Sequence, residues 1–295
     1  MMNTSIEKER KSHGTEFFPV AVYEEHQTPE IMIVDYHYHE EWEFLWLLDG
    51  KGRFQIDDHS EILQKGGLMC VPPCAIHGGI PLKDQDCAFR AVVFHPRLLG
   101  GAATDLLQSK YIEPFLKRHS RFPYFLPESE GITGEIIHIL EKVFAICRTE
   151  HAFGFELMVK GLLLAAWSKL LASGLYEERR QQRQERRNQK LLMSVLEYVH
   201  AHQHELITTK DLAQLIDVSE SYFCRFFRKS MQMTATEYIQ RCRIKAASAM
   251  LSQPGPQPII DIAFACGFNN LSYFNLVFKK LMGCTPTEYR LRSLT

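Results

Sequence analysis

At 295 residues the chain is longer than one hydrophobic core usually organises, which favours two domains. A 45% hydrophobic and 11% aromatic content excludes a disordered chain, and the longest apolar run, Leu157 to Leu171, carries Lys160 and Lys169, which excludes a membrane span. The net charge of −1 hides an asymmetry: the first 176 residues carry −7, residues 177–187 carry +2, and from Asn188 onward 12 Lys or Arg stand against 8 Asp or Glu. Nucleic acid, if bound, is therefore expected at the C-terminal part.

The start, residues 1–14, is charged and has no apolar signal segment, so a cytoplasmic location is expected. Eight scattered cysteines include no Cys-x-x-Cys pair and read as small buried hydrophobes. Residues 17–95 contain short apolar runs, such as Glu43 to Leu48 and Ala91 to Phe94, punctuated by Gly and Pro in the manner of strands. Among them His37-x-His39, Glu43 and Gly50 form one spaced set, and Gly66, Pro72 and His77 form a second. Two imidazoles separated by one residue share a strand face, and Glu43, two pleats beyond His39, points the same way. Such a set suits a divalent metal ion, and equally the polar anchors of a ligand pocket. The spacings resemble the two motifs of the cupin barrel, with Cys74 where the second motif has Gly and Pro81 where it has Asn.

Two helical segments follow. Ile136, Leu140, Val143, Phe144 and Cys147 recur at helical spacing, as do Leu157, Leu162, Leu163 and Leu164 within residues 155–171. The hairpin they predict either covers the strands or forms a dimerisation face. Residues 177–190, EERRQQRQERRNQK, contain no apolar side chain and are expected to be a linker or a solvated helix extension. The expected division is residues 17–175 for a ligand-sensing and dimerisation domain, 176–190 for the charged linker, and 191–293 for an all-helical domain.

That last part carries an internal repeat. Residues 221–238, SYFCRFFRKSMQMTATEY, align with residues 272–289, SYFNLVFKKLMGCTPTEY, at an offset of 51. In the first copy Thr208 is placed to cap a short helix, and Ser219 a second one that buries Phe223, Phe226 and Phe227. In the second copy Ile259 to Cys266 is the first helix, Gly267 the turn, and Asn269 or Asn270 the cap of a helix that buries Phe274, Val277, Phe278 and Leu281. Two short helices joined by a tight turn are a helix-turn-helix. Each copy ends in a Thr-x-x-Glu capping box, Thr234 to Glu237 and Thr285 to Glu288. The first box starts a connecting helix that stops before Pro254, Gly255, Pro256 and Pro258, and Leu191, Leu192, Val195, Leu196 and Val199 mark a helix ahead of the first unit.

The stretch from Ile207 to Arg290 resembles the DNA-binding domain of the AraC/XylS family. The resemblance rests on Ile259, Ile262, Ala263, Gly267, Phe268, Ser272, Tyr273, Phe274, Phe278, Lys279, Lys280, Gly283, Thr285, Pro286, Tyr289 and Arg290. It implies a multidomain α+β protein: a cupin-like β-barrel with a C-terminal helical hairpin, then an all-α domain with two helix-turn-helix units. The implied function is sequence-specific regulation of transcription, with activation, a homodimer, RNA polymerase and a metabolite, a sugar among the options, as family expectations. Double-stranded DNA would meet Ser221, Cys224, Arg225, Arg228 and Lys229 in the first unit, and Leu271, Ser272, Asn275, Leu276 and Lys279 in the second. Arg225 is the candidate base reader; the neighbouring basic residues suit phosphates. Gln232 and Ala235 stand where the family has Gly and Pro, so the first reading helix is expected to end differently from the second. In the barrel the resemblance implies a small organic effector at His37, His39, Glu43, Trp46 and His77, with Trp42, Phe54 and Phe89 as further lining, and metal at His37, His39, Glu43 and His77 as the alternative use. No catalytic residue is expected. The rivals are a metal-dependent cupin enzyme with an appended DNA-binding domain, and an architectural DNA-binding protein.

Overall fold

The computed structural model describes residues 13–27, 32–82, 86–101, 105–127, 131–149, 152–178, 183–253, 255 and 257–293. The charged start before His13, Pro254 and Pro256 lie outside them. Seven strands come first: β1 (Val20–Gln27), β2 (Val34–His37), β3 (Trp42–Ile56), β4 (His59–Gln64), β5 (Leu68–Val71), β6 (His77–Pro81) and β7 (Cys87–Phe94). A helical stretch, Leu107–Ile112, runs on as α1 (Glu113–Leu116), and two short strands, β8 (Ser120–Arg121) and β9 (Phe125–Leu126), precede the hairpin α2 (Ile132–Arg148) and α3 (Phe155–Ala172). After β10 (Glu177–Glu178) come α4 (Arg183–His202), α5 (Thr209–Leu215), α6 (Glu220–Met231), α7 (Ala235–Leu251), α8 (Ile259–Ala265), α9 (Leu271–Met282) and α10 (Pro286–Ser293).

The long strand β3 organises the eight-stranded antiparallel sheet. Its first half pairs with β7 and β5, its second half with β4 and β6, and the register shifts between Leu47 and Asp49. Changing partners partway curls the sheet and gives it an inside and an outside. Side-chain alternation along β3 then sorts two cores. Leu45 and Leu47 join Phe54, Ile56, Met69, Val71 and Phe89 in one. Trp42, Phe44 and Trp46 join Ile136, Leu140 and Val143 of α2 and Val159, Leu163 and Trp167 of α3 in the other. The hairpin thus covers the outer face of the sheet; the rings of Trp42 and Trp167 meet at 4.7 Å, and Trp167 Nε1 donates to Tyr111 O at 3.0 Å.

The charged run is not a detached linker throughout. Residues 183–190 form the first turns of α4, because Arg, Gln, Glu and Lys are good helix formers and neither Gly nor Pro interrupts them. Gln189 also donates to Asp57 Oδ1 at 3.4 Å and accepts from Arg118 Nη1 at 3.3 Å, which ties α4 to the barrel. Further contacts join the two parts: Tyr38 Oη donates to Glu197 at 2.8 Å, Tyr36 packs edge-on to Tyr238 at 6.0 Å, Lys245 pairs with Asp35, and Gln55 Nε2 donates to Ser230 O. Met32, Tyr36 and Ile76 of the barrel share a buried cluster with the helical domain.

Candidate nucleic-acid interface and barrel cluster

In the first repeat, Thr208 and Asp211 form a reciprocal capping box on α5, and Ser219 Oγ accepts from Tyr222 N at 3.3 Å to start α6. Phe223, Phe226 and Phe227 of α6 are buried, and the stripe Ser221, Cys224, Arg225 and Arg228 is exposed on its opposite side. The second repeat reproduces this. Asn270, rather than Asn269, caps α9 by accepting from Tyr273 N at 2.9 Å; Phe274, Val277 and Phe278 are buried, with Ser272, Asn275, Leu276 and Lys279 exposed. Leu281, expected inside, is half-buried and packs against the edge of the core.

Two of the ten expected DNA contacts sit differently from the rest. Leu271, the first residue of α9, is half-buried against the helical core. Lys229 is exposed but stands at the seam with the barrel, near Asp58. Several other basic side chains are committed to the fold. Arg243 donates from Nε to Gln203 O and from Nη2 to Glu205 O, both at 2.6 Å, and Arg290 donates to Gln257 O at 2.8 Å.

The reading helices end alike, contrary to the expectation raised by Gln232. Gln232 adopts φ +53° and Gly283 φ +73°, so both close their helix with a left-handed residue. Gln232 offsets part of the steric cost by donating from Nε2 to Lys229 O at 2.9 Å. The turns before the reading helices correspond in the same way, Asp217 at φ +54° and Gly267 at φ +85°. A side chain at Gly267 would come within 2.5 Å of Gln203 O, so glycine is required there.

The sheet brings His37, His39, Glu43 and His77 together, with one ligand-type atom of each within 4.8 Å of the others. His37 and His77 face each other across the β2–β6 pairing, their rings 4.2 Å apart. His39 arrives from the turn before β3, and Glu43 is the second residue of that strand. The Nδ1 atoms of His37, His39 and His77 lie 2.7, 3.2 and 2.9 Å from the backbone oxygens of Asp35, Glu41 and Ala75. A carbonyl only accepts, so each Nδ1 carries a proton and Nε2 is the atom left for the centre. Nε2 of His39 and of His77 each lies 3.1 Å from Glu43 Oε2. Burial, with His37 alongside, pushes the His77 imidazole down to about 4. An uncharged ring has one proton for two acceptors, so its Nε2 lone pair faces a carboxylate oxygen. A cation between them removes that conflict. Ligands about 2.0–2.2 Å from one ion are themselves roughly 3 to 3.6 Å apart, which the 3.1 Å contacts match. These residues therefore fit a divalent metal ion.

Trp46, expected beside this cluster, lies on the other face of the sheet. Glu43 and Trp46 are three residues apart, and an odd spacing along a strand puts two side chains on opposite faces. Trp46 packs edge-on to Phe144 of α2 and donates from Nε1 to Glu141 at 2.8 Å. Trp42 shares that face, whereas Phe54 and Phe89 belong to the barrel interior. Conversely, buried His13 packs edge-on to His39 at 5.1 Å and contacts Tyr23 Oη at 2.9 Å. Nothing in its local sequence marks it, since only folding brings the segment before β1 to the cluster.

Two exposed helix faces on a duplicated helix-turn-helix, joined to a β-rich domain, are the architecture of a DNA-binding transcription regulator with a sensor domain. Residues 19–166 match the family model of the AraC-like ligand-binding domain, and residues 212–292 match that of a helix-turn-helix domain. The chain belongs to the AraC family of transcriptional regulators and is a regulator rather than an enzyme. The uncharacterized HTH-type transcriptional regulator YdeC of Bacillus subtilis is 25% identical over 285 residues, covering 96% of this chain and 95% of YdeC. The melibiose operon regulatory protein of Escherichia coli is 28% identical over 134 residues, 45% of this chain and 44% of that protein. A crystal structure of ToxT from Vibrio cholerae superposes with a TM-score of 0.45 at 16% identity, over 93% of this chain and 98% of that one. No described helix is long and apolar enough to cross a membrane.

Proposed function

We propose that this regulator binds a divalent metal ion at His37, His39, Glu43 and His77, and that the bound ion anchors oxygen atoms of a small hydroxylated effector, of which a sugar is the leading class. The observation that carries the reading is the geometry of the cluster: three rings whose Nδ1 protons are already used, two of them, His39 and His77, turned so that Nε2 meets the Glu43 carboxylate, with His37 in the same group of ligand atoms within 4.8 Å. The ion would supply a fixed positive charge with further positions for oxygen ligands. The name of the melibiose operon regulatory protein, a relative over less than half of either chain, supports a sugar.

On the DNA side the reading assigns Ser221, Cys224, Arg225 and Arg228 to one major groove and Ser272, Asn275, Leu276 and Lys279 to the next, about one helical turn away. The apolar side chains that α3 leaves in solvent, Leu157 and Met158, with Phe153 just ahead of them, support a homodimer through the hairpin. A dimer activating transcription would present its DNA-bound form to RNA polymerase in the cytoplasm. Elemental analysis of the purified protein, with and without chelator, tests the barrel assignment, and titration with sugars in the metal-loaded form tests the effector. Zinc, manganese, iron or nickel near one ion per chain is expected; protein free of metal that gains none on dialysis would remove the assignment.

A further inference from the structure

Both strands that supply the opposed histidines of the cluster turn their preceding residue toward the other domain. His37 ends β2, His77 begins β6, and the two are paired in register. Successive side chains of an extended backbone point to opposite sides, so Tyr36 and Ile76, one residue before each histidine, face away from the cluster. Both are buried in the apolar core of the helical domain. Tyr36 also lies close over β6: a Cβ at Gly78, the residue after His77, would come within 2.8 Å of its ring. Its hydroxyl donates to Gln55 Oε1 at 3.2 Å, and Gln55 Nε2 donates in turn to Ser230 O.

Ser230 is the last residue but one of α6. The final carbonyls of a helix have no partner inside it, so the buried Gln55 of β3 supplies, from the barrel, part of the cap that ends the first reading helix. The neighbours of Tyr36 and His37 along the chain reach the same domain: Asp35 pairs with Lys245 of α7, and Tyr38 Oη donates to Glu197 of α4 at 2.8 Å. These contacts end on the helix ahead of the first unit, on its reading helix and on the connecting helix. We propose, resting on the metal assignment of the cluster, that β2 and β6 couple that site to the first reading unit and leave the second outside the coupling: a divalent ion at the cluster and the docked contact from Tyr36 through Gln55 to Ser230 stabilise each other. Ligation fixes the backbone at His37 and His77, and Tyr36 and Ile76, one peptide unit away, are the side chains whose placement docking requires. Two sites that bias one shared element do so reciprocally, so the factor that the ion gains from docking is the factor that docking gains from the ion.

Hydrogen exchange of the full-length protein with and without zinc, and again with nickel, tests this, with metal uptake measured on the same samples. The ion should slow exchange in residues 34–38 and, outside the barrel, in the second half of α6 and in α7, while α9 stays unchanged. Glu43→Gln, which lacks a ligand, should take up no full equivalent and show neither effect. A second arm runs the coupling backward from side chains outside the cluster. Tyr36→Phe keeps the ring over Gly78 and loses only the hydroxyl, and the double variant Glu197→Gln with Lys245→Ala cuts the contacts from the helical side; each should weaken metal binding by roughly two- to tenfold in competition with a chelator. Stoichiometric uptake with protection confined to the barrel, protection of α9 equal to that of α6, or unchanged metal affinity in both variants would each overturn the coupling and leave the metal site standing. Failure to take up either metal would overturn the metal site and the coupling with it.

Discussion

The two reading helices offer an internally controlled experiment in the residues that end them. At Gly283, φ +73°, an added Cβ would meet nothing within 4 Å, so Gly283→Ala charges the protein for backbone conformation alone. The left-handed conformation costs an L-residue about 1–2 kcal/mol, and the stiffer unfolded chain returns about 0.4–1 kcal/mol. A net loss of roughly 1 kcal/mol follows. Gln232→Gly runs the same substitution backward in the first unit, with one difference: it deletes the 2.9 Å hydrogen bond to Lys229 O. That bond is solvent-exposed and worth at most about 0.5–1 kcal/mol, so Gln232→Gly should be neutral to stabilising by about 0.5 kcal/mol. Urea unfolding of the full chain separates the contributions. All three tryptophans, Trp42, Trp46 and Trp167, lie before the charged run, so their fluorescence follows the sensor domain while circular dichroism follows the helices. If Gly283→Ala left the helical transition unmoved while Gln232→Gly destabilised it by more than about 1 kcal/mol, the side-chain bond rather than the backbone would govern these helix ends.

Arg225→Ala should weaken binding to a cognate site by about 1–3 kcal/mol and relax base discrimination there; an unchanged ratio of specific to nonspecific affinity would deny it a reading role. Lys279→Ala should weaken binding to all sequences alike and reduce the salt slope by about one, measured by titration across a range of ionic strengths. Thr234→Ala and Thr285→Ala should each cost about 1 kcal/mol, since both remove the hydroxyl that accepts the backbone N–H of the box glutamate. Hydrogen bonds from the Thr234 and Thr285 backbones, joined by those from their hydroxyls, hold Glu237 and Glu288 below the ordinary glutamate value of 4.5, and the variants remove the hydroxyl share. A carboxyl whose folded pKa is lowered stabilises the protein above its unfolded value and loses that contribution as pH falls through the folded one. The threonine variants should therefore lose stability less steeply than the parent on acidification below about pH 4.5, as acid melts would record. His77→Ala should abolish stoichiometric metal binding, and retention of a full equivalent would place the ion elsewhere.

The helical domain was legible in the sequence almost residue by residue, because its information is local. A capping box needs only Thr and Glu three apart, and a buried stripe only Phe223, Phe226 and Phe227 on one side of a single helix. Duplication supplied a second reading of each feature. The end of the first reading helix was misjudged because Gln232 keeps a left-handed backbone that its residue type disfavours and that the surrounding turn imposes. In the barrel, His37, His39 and Glu43 do meet, but not along one strand face: His37 ends β2, His39 lies in the turn that follows and Glu43 is the second residue of β3. The strand's alternation, not its composition, put Trp46 on the far side.

What the chain order alone determined is therefore the hairpin, the helices of the rear domain with their caps, and the two exposed helix faces, since each follows from contacts within a few residues or from a repeated pattern; the four cluster residues were marked only by a resemblance in spacing. Only the tertiary structure decided that the end of the charged run, as the first turns of α4, docks on the barrel through Gln189, that His13 reaches His39, and that Trp42 and Arg121 meet Phe226 around one cavity. These pairings join residues far apart along the chain, where side-chain spacing carries no signal and burial of both partners at once sets the geometry.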